Sequence, residues 1–356
     1  MTPRPSLKTF SLEHYKAIQK SGSVRLTPLT ALIGNNGSGK SSLIEGLETY
    51  RSVLVEGLDA AMGRWLGMDH VWNKRSRQAP GGRKRLDTCP MRFAVRGRAP
   101  DGEYRAVLAA NAEPGGNGYF IEEESGTSPK GIAFTRDRNG VARESGWDAV
   151  TRTNVKSRVH LSTGESAAPG DLKSFVANWQ FLSLVPNVMG RPTPKQMTGR
   201  VKTLNPDGSN LAQYLLGIRE RDPGAFEGVV EAMHFVVASS RNFEPVENRE
   251  IQPTMYLRML EPTRDGSIDI PGWMISTGTI RILALLAILR NPDPPPLIVV
   301  EEIENGLDPR TIHLILDEVQ GVVESGRSQV IMTTHSPYLL DLVPLSSILF
   351  CEREGG

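Results

Sequence analysis

The chain has 356 residues, enough for a large core arranged as one domain or two. Its 39% hydrophobic and 23% charged residues are ordinary for a globular protein, and 41 basic against 40 acidic side chains leave a net charge of +1, so bulk charge argues neither for nor against nucleic acid. Cys89 and Cys351 form no disulfide framework, the N-terminus lacks the apolar run of a signal peptide, and no stretch approaches the ~20 apolar residues of a membrane span; the expectation is a cytoplasmic protein without a membrane partner.

Residues 7–33 read as strands, and Val24 to Ile33 runs directly into a glycine-rich loop. After Ser41 the apolar positions Leu43, Ile44, Leu47 and Tyr50 recur at helical spacing. Residues 51–90 read as helix followed by a loop, with a dense run of positive charge over 74–85 broken by Pro80-Gly81-Gly82. From Met91 to His160 short apolar runs alternate with turn residues, which predicts an antiparallel sheet. Residues 170–240 read as mostly helical, without the sustained heptads of a coiled coil. Strands are expected near 297–301, 328–333 and 346–351, separated by helices, and that alternation predicts a mainly parallel sheet covered on both faces.

Gly34, Asn35, Asn36, Gly37, Ser38, Gly39, Lys40 and Ser41 fit the P-loop pattern at every fixed position, between a strand and a helix as the motif requires. The glycines let the backbone turn tightly and aim N–H groups at phosphate oxygens, and the following helix adds its positive end. Lys40 is expected to reach the β- and γ-phosphates of ATP, and Ser41 to ligate Mg²⁺. The apolar run Leu297 to Val300 ends in Glu301 and Glu302, so it is expected to deliver both carboxylates to a sheet edge. Glu301 is the candidate metal ligand there, and Glu302 the candidate base for an attacking water. His335, at the end of a later apolar strand, is a candidate for contacting the γ-phosphate or positioning water. Ser276 caps an apolar helical run, and a capped helix start can hold an anion.

With these four elements in this order the sequence resembles the ABC-type ATPase heads, a group that includes RecF, SMC and OLD-family proteins, and most of all compact bacterial AAA-type ATPases related to the OLD family. The resemblance rests on Gly34 to Ser42, Ser276 to Arg281, Val300 to Pro309 and Thr334 to Tyr338, with Gly208-Ser-Asn-Leu211 in addition. It implies an α/β P-loop NTPase fold: a mainly parallel sheet core flanked by helices, an antiparallel β subdomain and an inserted helical lobe. The implied layout is 1–165 for an N-terminal ATPase lobe, 166–267 for the helical lobe and 268–356 for a C-terminal ATPase lobe. A head-to-tail dimer is also implied, in which Ser276, Thr277 and Gly278 of one copy act in trans on nucleotide held by the other. In that arrangement Ser42 joins the nucleotide site, Asp308 crosses the interface, and His335 is the switch histidine. Gln180, in Asn178-Trp-Gln-Phe-Leu182, stands as a candidate for sensing Mg²⁺ between the sheet and the helical lobe, with packing on a helix as the other reading.

The signature reads Ser-Thr-Gly-Thr, which argues against a membrane transporter. Glu301 replaces a commoner aspartate, a change that OLD-like relatives share. Three roles compete. One is the slow, partner-regulated ATPase subunit of a bacterial defence or toxin-like system working with a separately encoded effector. The others are a RecF-like repair ATPase binding DNA through 74–85, and an ATP-gated sensor or scaffold. OLD nucleases carry a nuclease domain after the head, and the sequence stops soon after the last predicted strand. If that is the natural end, cleavage is expected from a partner; if it is a piece of a longer protein, the nuclease reading reopens.

Overall fold

The computed structural model describes residues 4–76, 89–113, 118–127, 131, 133–145, 151–152, 170–195, 201–238, 240, 242–248 and 253–353. In chain order it begins with β1 (Ser6–Tyr15), β2 (Ile18–Lys20), β3 (Val24–Arg25) and β4 (Leu29–Ile33), followed by α1 (Lys40–Glu56), α2 (Leu58–Arg64) and α3 (Met68–Val71). Next come β5 (Met91–Ala99), β6 (Gly102–Ala112), β7 (Tyr119–Thr127), β8 (Ala133–Arg136), β9 (Val141–Glu144) and β10 (Thr151–Arg152). The middle of the chain holds α4 (Gly170–Ala177), β11 (Gln180–Leu182), α5 (Pro186–Met189), β12 (Thr193–Pro194), α6 (Leu211–Arg221) and α7 (Pro223–Val236). It continues through β13 (Asn242–Asn248), β14 (Thr254–Thr263), β15 (Gly266–Pro271) and α8 (Thr277–Leu289). Last are β16 (Leu297–Val300), α9 (Pro309–Glu324), β17 (Gln329–Thr333), α10 (Pro337–Leu342) and β18 (Ile348–Phe350).

Two compact units share these elements, and each takes more than one stretch of chain. The first comprises residues 1–28, 33–179 and 349–356; the second comprises 29–32 and 180–348. The boundary therefore falls inside β4, between Leu32 and Ile33.

In the first unit an antiparallel sheet runs in the order β10-β9-β8-β7-β6-β5-β1-β2, with β3 on β1. Its two-residue alternation is clear in β5, where Met91, Phe93 and Val95 are buried while Arg96 and Arg98 are exposed. In β1 a bulge between Leu7 and Thr9 shifts the register, yet Leu7, Phe10, Leu12 and Tyr15 all remain buried. α1 buries Leu43, Ile44, Leu47, Tyr50 and Leu54 and stops at Gly57, whose φ of 95° a helix cannot continue. Gly46 is set so close to Leu12 that a methyl group there would lie 2.5 Å from its Cδ2.

The parallel sheet is ordered β11-β16-β17-β4-β18, and the second unit holds β11, β16, β17 and residues 29–32 of β4. β16 is buried at all four positions and β17 at all five, as expected of strands covered on both faces. Beside them α8 is buried from Ile280 to Leu289, and α9 presents Ile312, Ile315, Leu316, Val319 and Val322 to the same core. Burying a side chain of this size stabilises by roughly 1.5–3 kcal/mol, so these elements dominate the unit's packing. A smaller antiparallel sheet of β12-β14-β13, with β15 on β14, completes it. Among the described residues no helix is long and apolar enough to cross a membrane.

Candidate nucleotide site

The register of the parallel sheet fixes where its strands end. Leu32 lies opposite Thr333 on β17, and Val300 lies opposite Met332, so β4, β16 and β17 stop at one edge. The residues next in sequence are Gly34 to Lys40 after β4, Glu301 and Glu302 after β16, and His335 after β17.

In the first unit the loop after β4 depends on glycine. Gly34 has φ 144°, and a methyl group there would sit 2.2 Å from the Cys351 carbonyl oxygen; Gly37 and Gly39 have φ 78° and 103°. Gly39 is the residue before α1, so the amides of the helix start face the loop without a capping side chain. Lys40 is buried, and its Nζ donates to the carbonyls of Gly34 at 2.7 Å and Asn35 at 3.1 Å. Asn35, Asn36 and Gly37 are exposed, as is Ser41, whereas Ser42 is buried. The Ser38 hydroxyl is buried with no hydrogen-bond partner. A tight glycine turn, a buried ammonium and an unpartnered hydroxyl together fit a polyphosphate chain.

Beside this loop is a cavity of about 630 Å³, lined by residues that include Ile18, Lys20, Ser38, Gly39, Leu43 and Arg75. Cys351 also lines it; burial pushes its thiol up, against the opposing pull of the Lys40 charge. Of the basic run 74–85, residues 77–85 lie outside the described residues.

In the second unit Glu301 is half-buried and its N–H donates to the Leu182 carbonyl at 3.0 Å, continuing the β11–β16 pairing by one residue. Glu302 is exposed and has φ 46°, a left-handed conformation rare for a residue with a side chain. Such strain persists only where the surroundings hold it, and here they do. The Glu302 N–H donates to Thr333 Oγ1 at 2.8 Å. Arg281, buried on α8, donates from Nη2 to the carbonyls of Glu301 at 3.2 Å and Glu302 at 2.7 Å, and from Nη1 to that of Leu184 at 3.0 Å. Burial pulls the Arg281 pKa down, while Glu302 and Glu304 pull it up.

His335 is exposed, and its backbone N–H donates to Glu304 Oε1 at 2.7 Å, which ties the segment after β17 to the one after β16. Ser276 Oγ accepts the Thr279 N–H at 3.2 Å and lies 2.7 Å from Thr279 Oγ1, so Ser276 is the N-cap of α8. Thr277 is exposed. Gly278 packs against the loop after Glu302: a methyl group on it would lie 2.6 Å from the Gly306 carbonyl oxygen. Asp308 caps α9, accepting the N–H groups of Arg310 and Thr311 and the Thr311 hydroxyl. The Thr311 hydroxyl, ahead of the backbone donors, holds its carboxyl below the usual range.

Gln180 differs from the sequence expectation in its element. It opens strand β11 rather than sitting on a helix, because α4 ends at Ala177 and Gln180 pairs in parallel with Ile298. That register sets it two residues short of the edge where Val300 ends, and its Nε2 donates to the Leu204 carbonyl. Arg281, Thr333 and Glu304 had no role assigned from sequence. A signal for Arg281 was present, since it is the one charge inside the apolar run from Ile280 to Leu289. Thr333 and Glu304 had none.

A P-loop after one parallel strand, paired carboxylates after another and a capped apolar helix define an ATPase of the AAA/ABC type. The chain belongs to the family described as "AAA domain, putative AbiEii toxin, Type IV TA system", whose model matches residues 29–341. No curated protein matches the sequence. Among solved structures it is similar to a Smc head bound to the C-winged helix domain of ScpA, at 12% identity and TM-score 0.47, over 98% of this chain and 95% of that one. It is also similar to the SMC head domain from Thermotoga maritima, at 14% identity and TM-score 0.41, over 97% and 94% of the two chains. A third similarity is to the Smc head domain with an extended coiled coil bound to the C-terminal domain of ScpA derived from Pyrococcus furiosus, at 13% identity and TM-score 0.45, over 95% and 91%. Likenesses of this degree carry no conclusion about function.

Proposed function

We propose that the chain binds and slowly hydrolyses ATP with Mg²⁺, and that a second copy completes each site. Lys40 and the amides of Gly34 to Ser41 hold the phosphates. Ser41 and Glu301 are the side chains that would hold Mg²⁺, which when bound offsets charge on the phosphate oxygens. Among the described residues no group of three or more His, Cys, Asp or Glu gathers as a metal cage, so the remaining ligands would be phosphate and water oxygens. Gln180 would add its amide oxygen to that set, since the bond to the Leu204 carbonyl engages only Nε2. Glu302 takes the proton of the attacking water, and His335 contacts the γ-phosphate.

The observation that carries this reading is the shared end of β4, β16 and β17. In a parallel sheet the loops leaving the C-terminal strand ends are where ligands bind. In the second unit those after β16 and β17 carry the two carboxylates and the histidine, and in sequence the phosphate-binding glycines follow β4. In the proposed dimer Ser276, Thr277 and Gly278 meet the nucleotide of the other copy, and Asp308 lies at the interface. The exposed Ser276 and Thr277 at the start of α8 support this part, since an uncovered helix start suits an anion.

The family description, which names a putative toxin of a Type IV TA system, supports a toxin-like cellular role. Action through a separately encoded effector belongs to the same proposal. The test is light scattering on Glu302→Gln with and without ATP and Mg²⁺. A dimer that accumulates only with ATP is expected. A monomer that binds ATP and stays monomeric would contradict the proposal.

A further inference from the structure

The geometry points to Arg281 as a positioning residue that sets the backbone of Glu302 from the signature helix, an inference that rests on the reading of Glu302 as the base. Three observations within the second unit carry it. Glu302 holds a left-handed φ of 46°, which a side-chain-bearing residue adopts only at a cost in free energy. The Arg281 guanidinium touches the carbonyls on both sides of that conformation, at Glu301 and Glu302, and reaches a third carbonyl on Leu184, beside the neighbouring strand β11. It does so from deep burial, at 3% exposure, inside a helix otherwise apolar from Ile280 to Leu289. Burying a guanidinium is costly, and a hydrophobic side chain at such a site is often neutral or better for stability. Packing therefore does not explain the arginine. Holding the carbonyls does.

Only a planar fork can reach all three acceptors together, which a lysine ammonium cannot reproduce. Arg281 lies on α8 a little over one turn after the Ser276 cap, so a shift of the helix start moves the guanidinium and, through it, the carboxylate. Nucleotide engaging Ser276 would in this way reach Glu302 of the same copy. The opposite side of Glu302 is anchored by Thr333 Oγ1 on β17, so the residue is held from helix and strand together.

The test measures ATP affinity, kcat and thermal unfolding for the wild-type chain, Arg281→Lys, Arg281→Met and Thr333→Val. Misplacing a reacting group by about 1 Å costs up to ~100-fold in rate, so kcat is expected to fall roughly 10-fold in Arg281→Lys and toward ~100-fold in Arg281→Met. ATP affinity should stay within about 2-fold, because the phosphate loop is untouched. Arg281→Met probes the structural alternative, since a merely structural arginine would change the unfolding temperature and leave kcat of the folded protein alone. Folded Arg281 variants with wild-type kcat overturn the inference. Should both fail to fold, Thr333→Val decides: the same loss of kcat at unchanged affinity supports positioning of the Glu302 backbone, and wild-type turnover overturns it. A wild-type chain that binds ATP without turnover defeats the hydrolysis reading instead. Amide exchange at Glu302 to Glu304 then decides on Arg281, faster in Arg281→Lys if it holds the segment and unchanged if it does not.

Discussion

Gly278 and Gly306 approach so closely that a methyl group on Gly278 would lie 2.6 Å from the Gly306 carbonyl oxygen. The start of α8 is thereby seated on the loop after the paired carboxylates. Because the neighbouring atom belongs to the backbone, it cannot swing aside as a flexible side chain would. Gly278→Ala should cost on the order of 1–3 kcal/mol by overpacking, read in a denaturant melt. It should also abolish ATP-dependent dimerisation while leaving ATP affinity of the isolated copy within about 2-fold. Normal dimers would show that this turn is not part of the interface.

Gly34 makes the corresponding demand in the phosphate loop. With φ 144° and the Cys351 carbonyl 2.2 Å from an added methyl group, alanine is strained in both backbone and space. Gly34→Ala should lose more than ~1 kcal/mol of stability. Titration with a fluorescent ATP analogue should show little remaining affinity.

Glu302 trades stability for its position. Glycine relieves a left-handed strain of about 1–2 kcal/mol, less the roughly 0.5–1 kcal/mol that glycine loses in chain entropy. Glu302→Gly should therefore melt at or slightly above the wild-type temperature while losing turnover. A clear drop in melting temperature would mean that the side chain, not the backbone, matters most there.

Asp308 sets a pH dependence. Its carboxyl is held low by the Thr311 hydroxyl and the α9 amides, so the folded state favours the charged form. The contribution is complete above the ordinary carboxylate range and is lost as pH falls through the lowered value. Asp308→Ala should cost about 0.5–2 kcal/mol as a lost cap near neutral pH, and the gap to wild type should close in acid. A gap that is constant with pH would exclude the charged cap as its source.

The parts of the site that depend on a local rule were legible in the sequence. Gly34 to Ser41 carries its own turn chemistry, the apolar run before Glu301 needs burial on both faces, and Ser276 before an apolar helix is a cap wherever it occurs. What depends on chain segments distant in sequence was not. The left-handed Glu302 exists because Arg281 and Thr333 hold it, and no residue near it announces that conformation. Strands β13 to β15 were hidden by Pro245, Pro262 and Pro271 and by the many charges along them. β11 is too short to show a period, and Gln180 reads as the tail of the preceding helix until its pairing with Ile298 is seen.

Whether Glu302 and Lys40 run an ATPase is decided by steady-state phosphate release with ATP and Mg²⁺ for the wild-type chain, Lys40→Ala and Glu302→Gln, alongside ATP affinity. Slow turnover is predicted in the wild type, loss of binding in Lys40→Ala, and intact binding with turnover reduced ~100-fold or more in Glu302→Gln. Wild-type turnover in Glu302→Gln would contradict the assignment of the base.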